Sequence, residues 1–182
     1  MFRENGSNNG TTAINETTAD FGTFRAQFIE GGNLKPNINK WIHHFDAVLA
    51  VVFVVDLSSY DQGQTGDLGC NGITESLVFF NSMCKSKWFQ QASIILLLNK
   101  VDLFREKLVS KPLRDYMPEY TGGEDPKEAE HFLMKLFVQA DHSRDNIRVS
   151  STIATNPRST MDFVRTAITA AILDENVKLL HP

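Results

Sequence analysis

Two apolar runs decide what this chain can fold into. Val48 to Leu57 is almost unbroken Val, Ala, Leu and Phe, and Ser93-Ile94-Ile95-Leu96-Leu97-Leu98 is a second such stretch. An alternating strand can keep one face in water, whereas a continuous apolar run reads as a strand covered on both faces, as in parallel sheets flanked by helices. Apolar residues elsewhere recur at helical spacing. Ile73, Leu77, Phe80 and Cys84 form one stripe; Ala129, Phe132, Leu133, Leu136 and Phe137 form a second after Pro126 and Lys127; Phe163, Val164, Ala167, Ile168, Ala171 and Ile172 form a third. Such stripes bury against a sheet rather than line a ligand site. With Ile147-Arg148-Val149-Ser150-Ser151 as a further strand, the alternation predicts a three-layer α/β architecture with a mostly parallel sheet.

The second run ends in Asn99-Lys100-Val101-Asp102, and those residue types suit the reading of a guanine base. A carboxylate at Asp102 can accept both the ring N1–H and the exocyclic amine of guanine, a pair of donors that adenine does not offer in that arrangement. Asn99 can bond the purine edge and tie neighbouring loops together. The aliphatic stem of Lys100 can cover the base face with its ammonium at the rim. A polar tetrad that simply closes a strand is the competing reading, and it is the placement after a buried strand that favours recognition.

A second element stands where such a site needs it. The strand at Ile147 is followed by Thr152-Ile153-Ala154-Thr155 and then by a helix starting near Pro157. This resembles the T-C-A-T loop of heterotrimeric G-protein alpha subunits, with Ile153 in place of Cys, in which the Ala backbone N–H meets the guanine oxygen. The resemblance extends through Lys40-Trp41-Ile42-His43-His44-Phe45, Leu57-Ser58-Ser59-Tyr60-Asp61, Glu75-Ser76-Leu77, Lys87-Trp88-Phe89 and Asn99 to Phe104. Residues 40–182 are similar to the C-terminal half of such a subunit. The resemblance implies a P-loop-GTPase-like domain over residues 11–182 behind a flexible segment 1–10. It also implies guanine nucleotide binding in receptor-linked signal transduction, with GTP or GDP and Mg²⁺ as ligands and with Asn99, Lys100, Asp102 and Ala154 as nucleotide contacts.

The N-terminal third resembles the family's switches and departs from them. Thr11-Thr12-Ala13-Ile14-Asn15-Glu16-Thr17-Thr18 resembles the first switch, which makes Thr11 the Mg²⁺-ligating threonine, against a plainer reading as a β-branched residue in a strand or loop. Phe24-Arg25 followed by Gly31-Gly32 resembles the strand leading to the second switch, with Gly31 and Gly32 on the nucleotide side. Asn33 occupies the position of the Gln that orients the attacking water, and Asn8 that of the catalytic Arg. Glu30 is acidic, but its register differs from that of the family's Asp. No Gly-x-x-x-x-Gly-Lys-Ser/Thr occurs in these residues, so the phosphate-cradling P-loop, the first strand, the first helix and the helical insertion of the family are expected to be missing. GTP binding and hydrolysis are accordingly expected to be impaired. Three readings stay open: a slow GTPase, a non-enzymatic GTPase-like interaction module, and a gene product whose preceding coding sequence supplies the loop.

A net charge of −4 argues against nucleic acid as a partner. Two cysteines, no secretory leader and no apolar span of membrane length predict a cytoplasmic chain, with attachment to the inner face of the plasma membrane only through partners. Phe2 stands where N-myristoylation requires Gly. By resemblance the partners are the beta-gamma pair through the helix of Trp41, an effector through the Trp88 and Phe89 loop, and a G protein-coupled receptor through the tail 177–182. That tail lacks the family's cysteine. His43 and His44 are adjacent and point about 100° apart on a helix, which makes them poor joint metal ligands.

Overall fold

A computed structural model of the chain describes residues 3–4, 14–31, 48–63, 71–140, 147–152 and 156–180. The chain divides into two compact units, Met1–Ala47 and Val48–Pro182. Asn8, Thr11, Gly32, Asn33, Trp41, His43, His44, Ala154 and the tail residues His181 and Pro182 lie outside the described residues.

In the first unit, β1 (Arg3–Glu4), β2 (Ile14–Asp20) and β3 (Arg25–Gly31) form an antiparallel sheet in that order. The segment resembling the first switch therefore enters a hairpin, with Ile14 opposite Gly31 and Asp20 opposite Arg25. Its turn is set by Gly22, whose φ of 83° is a left-handed conformation that a side chain would disfavour. The Gly22 N–H donates to Asp20 Oδ1 at 2.8 Å, and the Phe21 N–H donates to the Phe24 carbonyl at 3.0 Å. The Gly22 bond, followed by one from Arg25, holds the Asp20 carboxyl below its ordinary pKa.

The second unit contains the parallel sheet that the two apolar runs predict. β4 (Ala50–Asp56), β5 (Ser93–Asn99) and β6 (Ile147–Ser151) pair in the order β4-β5-β6. Ala50 stands beside Ser93, Asp56 beside Asn99 and Leu98 beside Ser151. Ser93 to Leu98 are all buried, which is what a central strand covered on both faces requires. Four helices belong to this unit among the described residues: α1 (Gly72–Cys84), α2 (Val101–Leu108), α3 (Pro126–Gln139) and α4 (Pro157–Leu180).

Phe53 of β4, Phe80 of α1 and Phe137 of α3 meet with ring centroids 5.0 to 6.4 Å apart and anchor the core on one side of the sheet. Helix α4 packs against β5 and β6, burying Val164, Ala167, Ile168 and Ala171. Helix starts follow local chemistry. Asn71 Oδ1 accepts from the Thr74 N–H at the start of α1, and Asp125 Oδ1 accepts from the Lys127 N–H ahead of Pro126 in α3.

One expectation needs correcting. Strand β4 is not covered on both faces: Phe53 and Val55 are buried, but Val54 between them is 56% exposed. Among the described residues β4 pairs with β5 alone, and α4 packs mainly against β5 and β6. Within this apolar run, Val54 is therefore left exposed to solvent.

The entry into α1 depends on a close backbone approach. A Cβ added at Gly72 would stand 2.5 Å from Ser59 Oγ and 2.7 Å from Ser59 Cβ. Gly72→Ala is expected to destabilise the chain by about 1–3 kcal/mol through overpacking, read as a lower denaturation midpoint. A second change, Ser59→Gly, is expected to recover most of that loss.

Candidate functional site

The end of β5 turns sharply before α2 begins. Lys100 caps α2 at φ 59° and ψ 38°, and it is the one described non-glycine residue with positive φ. That conformation costs an L-residue on the order of 1–2 kcal/mol, so the surroundings must enforce it. Val101 and Phe104 are buried immediately beyond and pin the first turn of α2 to the core. Asp102 sits in that turn, exposed, where the partial positive charge of a helix N-terminus favours a carboxylate.

The segment after β6 is stitched to this elbow. The Thr152 N–H donates to the Leu98 carbonyl at 2.7 Å, its hydroxyl reaches Asn99 Oδ1 at 3.3 Å, and the Val101 N–H donates back to the Thr152 carbonyl at 3.4 Å. Thr152 is itself buried, so these bonds form away from competing water. Asn99, Lys100 and Asp102 thus occupy one rim with Thr152 alongside. Ala154 follows two positions later, outside the described residues.

Two groups of charges support the rim. Asp56 ends β4 beside Asn99, and its Oδ2 accepts from the Lys100 ammonium at 2.6 Å. Its Oδ1 accepts from the Ser58 N–H at 3.0 Å and the Ser58 hydroxyl at 2.6 Å. Burial alone would raise the Asp56 pKa, but the bonds from Lys100 and Ser58 outweigh it and leave the carboxyl below its usual range. No motif singles out Asp56, although a lone carboxylate near the end of an apolar run is the signal of a strand end.

Asp61 is the second anchor, with a side chain only 3% exposed. Lys107 donates to its Oδ1 at 2.7 Å and to the Ser58 carbonyl at 2.8 Å, while Lys111 donates to its Oδ2 at 2.6 Å. Burial pushes this carboxyl up and the two ammonium groups pull it further down, so its pKa is lowered overall. Next to it the Tyr60 hydroxyl donates to the Lys111 carbonyl at 2.6 Å, and its ring stacks edge-on against Phe104 and Tyr116. Burial first, then the Asp61 charge, raises the Tyr60 pKa to about 12. The turn Leu57–Asp61 is thereby clamped to α2, the helix that presents Asp102.

Among the remaining sequence candidates, Gly31 ends β3 in the first unit. Trp88 is half-buried beneath the Lys87 ammonium, 5.1 Å from its ring, whereas Phe89 is buried in the core. This turn therefore leaves Lys87 exposed and Trp88 partly so, while the Phe89 ring is covered. The described residues gather no group of three or more His, Cys, Asp or Glu able to hold a metal ion. Thr11 lies outside them.

A parallel α/β sheet with a polar, helix-capping elbow at the end of its central strand defines a P-loop-GTPase-like fold. The profile of the G-protein alpha subunit matches residues 6–172, and the chain belongs to that family. It is 38% identical to a guanine nucleotide-binding protein subunit alpha of Candida albicans over 92% of its own length and 39% of that protein's. Against the alpha-1 subunit of Saccharomyces cerevisiae the identity is 38%, covering 92% of this chain and 36% of the relative. Against a subunit alpha of Cryptococcus neoformans it is 39%, covering 92% and 39%. The chain spans less than half the length of these curated relatives. No helix among the described residues is long and apolar enough to cross a membrane.

The lowered pKa of Asp61 fixes a sign for the pH dependence. The stability it contributes is present above the unfolded carboxyl value near 3.8 and is lost as pH falls through the lower folded value. Asp61→Asn is expected to cost about 1–3 kcal/mol at neutral pH. It should also flatten the acid limb of the stability curve measured by denaturant titration at several pH values.

Proposed function

We propose that this chain is a guanine nucleotide-binding, alpha subunit-like protein of receptor-linked signal transduction, which reads the base through Asp102 and in which phosphate binding and hydrolysis are weak. The observation that carries the reading is the stitched rim, where Thr152 joins the loop after β6 to Asn99 at the end of β5. Asp102 stands on that rim exposed and without an ion pair among the described residues. Its carboxylate accepts the N1–H and exocyclic amine of guanine, the Lys100 stem covers the base, and the Ala154 N–H meets the guanine oxygen.

The remaining assignments rest on family membership. Residues 11–182 form the GTPase-like domain, Gly31 and Gly32 flank the phosphates of GTP or GDP, and Thr11 is the Mg²⁺ ligand. The beta-gamma pair meets the segment of Trp41, an effector meets Lys87 and Trp88, and a receptor meets the C-terminal tail. Such partners bring a cytoplasmic protein to the inner face of the plasma membrane.

Weak catalysis follows from residue types. Asn8 cannot supply a cation where the family has Arg, and loss of that group removes about three to five orders of magnitude in rate. Asn33 is one methylene shorter than Gln, and a misplacement near 1 Å can cost about a hundredfold. The second reading, an interaction module without catalysis, rests on the same two residues, Asn8 and Asn33, standing where the family has Arg and Gln.

Calorimetry on the purified chain is expected to show guanosine preferred over adenosine, with GTP bound no more tightly than micromolar. Asp102→Ala should abolish the preference. Equal binding of the two nucleosides would overturn the guanine reading, and a submicromolar GTP complex would overturn the weak phosphate site. In single-turnover assays with Mg²⁺, Asn33→Gln is expected to match a protein-free control. Hydrolysis by the unaltered chain that vanishes in Asn33→Ala would instead establish an active GTPase.

A further inference from the structure

Lys100 and Asp102 are two residues apart at the start of one helix, and a flexible four-carbon stem gives the ammonium freedom to seek the nearest carboxylate. If it closed on Asp102, the acceptor needed for guanine would be occupied by the protein itself. In the structure it does not. The ammonium lies 2.6 Å from Asp56 Oδ2, and the Asp102 carboxylate has no ion pair or hydrogen bond among the described residues. We infer that Asp56 is a positioning residue for base recognition: it holds the Lys100 ammonium on the β4 side of the elbow and so keeps the Asp102 carboxylate open.

Three features support this role over a purely stabilising one. Asp56 stands in register with Asn99, so it is the β4 residue beside the elbow. Its carboxylate direction is fixed, because Oδ1 is held by the Ser58 N–H and hydroxyl while Oδ2 faces Lys100. The side chains of the pair are 35% and 42% exposed, and ion pairs so open to solvent contribute little to stability. What such a contact can do is select one direction for a long side chain. The selection matters here because Lys100 is already set in a left-handed conformation at the strand end.

The guanine part of this inference rests on the proposed function, but the ion-pair choice does not, and the two can be tested apart. Asp56→Asn is the informative change: the Asn Oδ1 still accepts from Ser58 and keeps the turn, while its amide presents a donor to Lys100 in place of a carboxylate. Carbodiimide coupling, which joins an amine to a touching carboxylate through its activated ester, reports the Lys100 partner by peptide mass spectrometry. The unaltered chain is expected to yield Lys100–Asp56 amide, and Asp56→Asn is expected to yield Lys100–Asp102 amide. A Lys100–Asp102 product already present without the substitution, or none after it, would overturn the inference.

In calorimetry with guanosine, Asp56→Asn is expected to weaken binding about two- to fivefold, the range of an exposed ion pair. The change should have no effect when Lys100→Gln is also present, because the competitor for Asp102 is gone. A loss that persists in the Lys100→Gln background would show that Asp56 acts by another route and would overturn its positioning role. If the unaltered chain fails to bind guanosine at all, the guanine reading falls, while the coupling products still decide which carboxylate holds Lys100.

Discussion

Burial of β5 on both faces and along both edges is the constraint on which the rest of the second unit depends. A strand with no solvent-facing side chain must satisfy its backbone through both neighbours, and β4 and β6 do so in continuous parallel register. Because Ser93 to Leu98 cannot slip without exposing apolar surface, the point where the strand leaves the core is fixed at Asn99. Parallel pairing then brings Asp56 beside Asn99 and Ser151 beside Leu98, so polar groups far apart in sequence arrive at one rim. The site is a consequence of where the apolar run stops.

That origin explains what could be read from the sequence. The apolar runs place β4 and β5, and the helical stripes place α1, α3 and the buried face of α4, because hydrophobic periodicity reflects burial directly. Asn99, Lys100 and Asp102 were legible because they are contiguous. Asp56 was not, since its partner Lys100 lies 44 residues away and only strand register joins them. Nor was the exposure of Val54: a run of apolar residues states what a strand prefers, while exposure depends on which strands and helices lie beside it. Phe89 illustrates the same limit, since an aromatic in a turn reads equally as an anchor for a partner and as a plug for the core, and here it is buried.

The charges around the rim divide the work. Asp61, nearly enclosed and held by two lysines, is an anchor whose loss disturbs the fold, and it fixes the turn Leu57–Asp61 against α2. Asp56 and Lys100, both partly open to water, contribute direction more than stability. Lys107 links the two groups, because it donates both to Asp61 and to the Ser58 carbonyl, and Ser58 in turn holds Asp56. The enclosed charges thus lie under α2, and the more open pair lies at the rim.

A base-reading rim and a phosphate cradle make different demands on a fold. The rim needs a few side chains set on a rigid strand end, and β5, α2 and the Thr152 loop provide that from within the second unit. A cradle needs several converging backbone N–H groups at a helix start, which only a glycine-rich turn of defined length can present. Core packing at Val101 and Phe104 holds the residues around Asn99, so the rim keeps its shape independently of any cradle. On the proposed reading, a rim of this kind serves either a nucleotide switch or an interaction module, and the energy that separates them lies in the phosphate contacts rather than in the base.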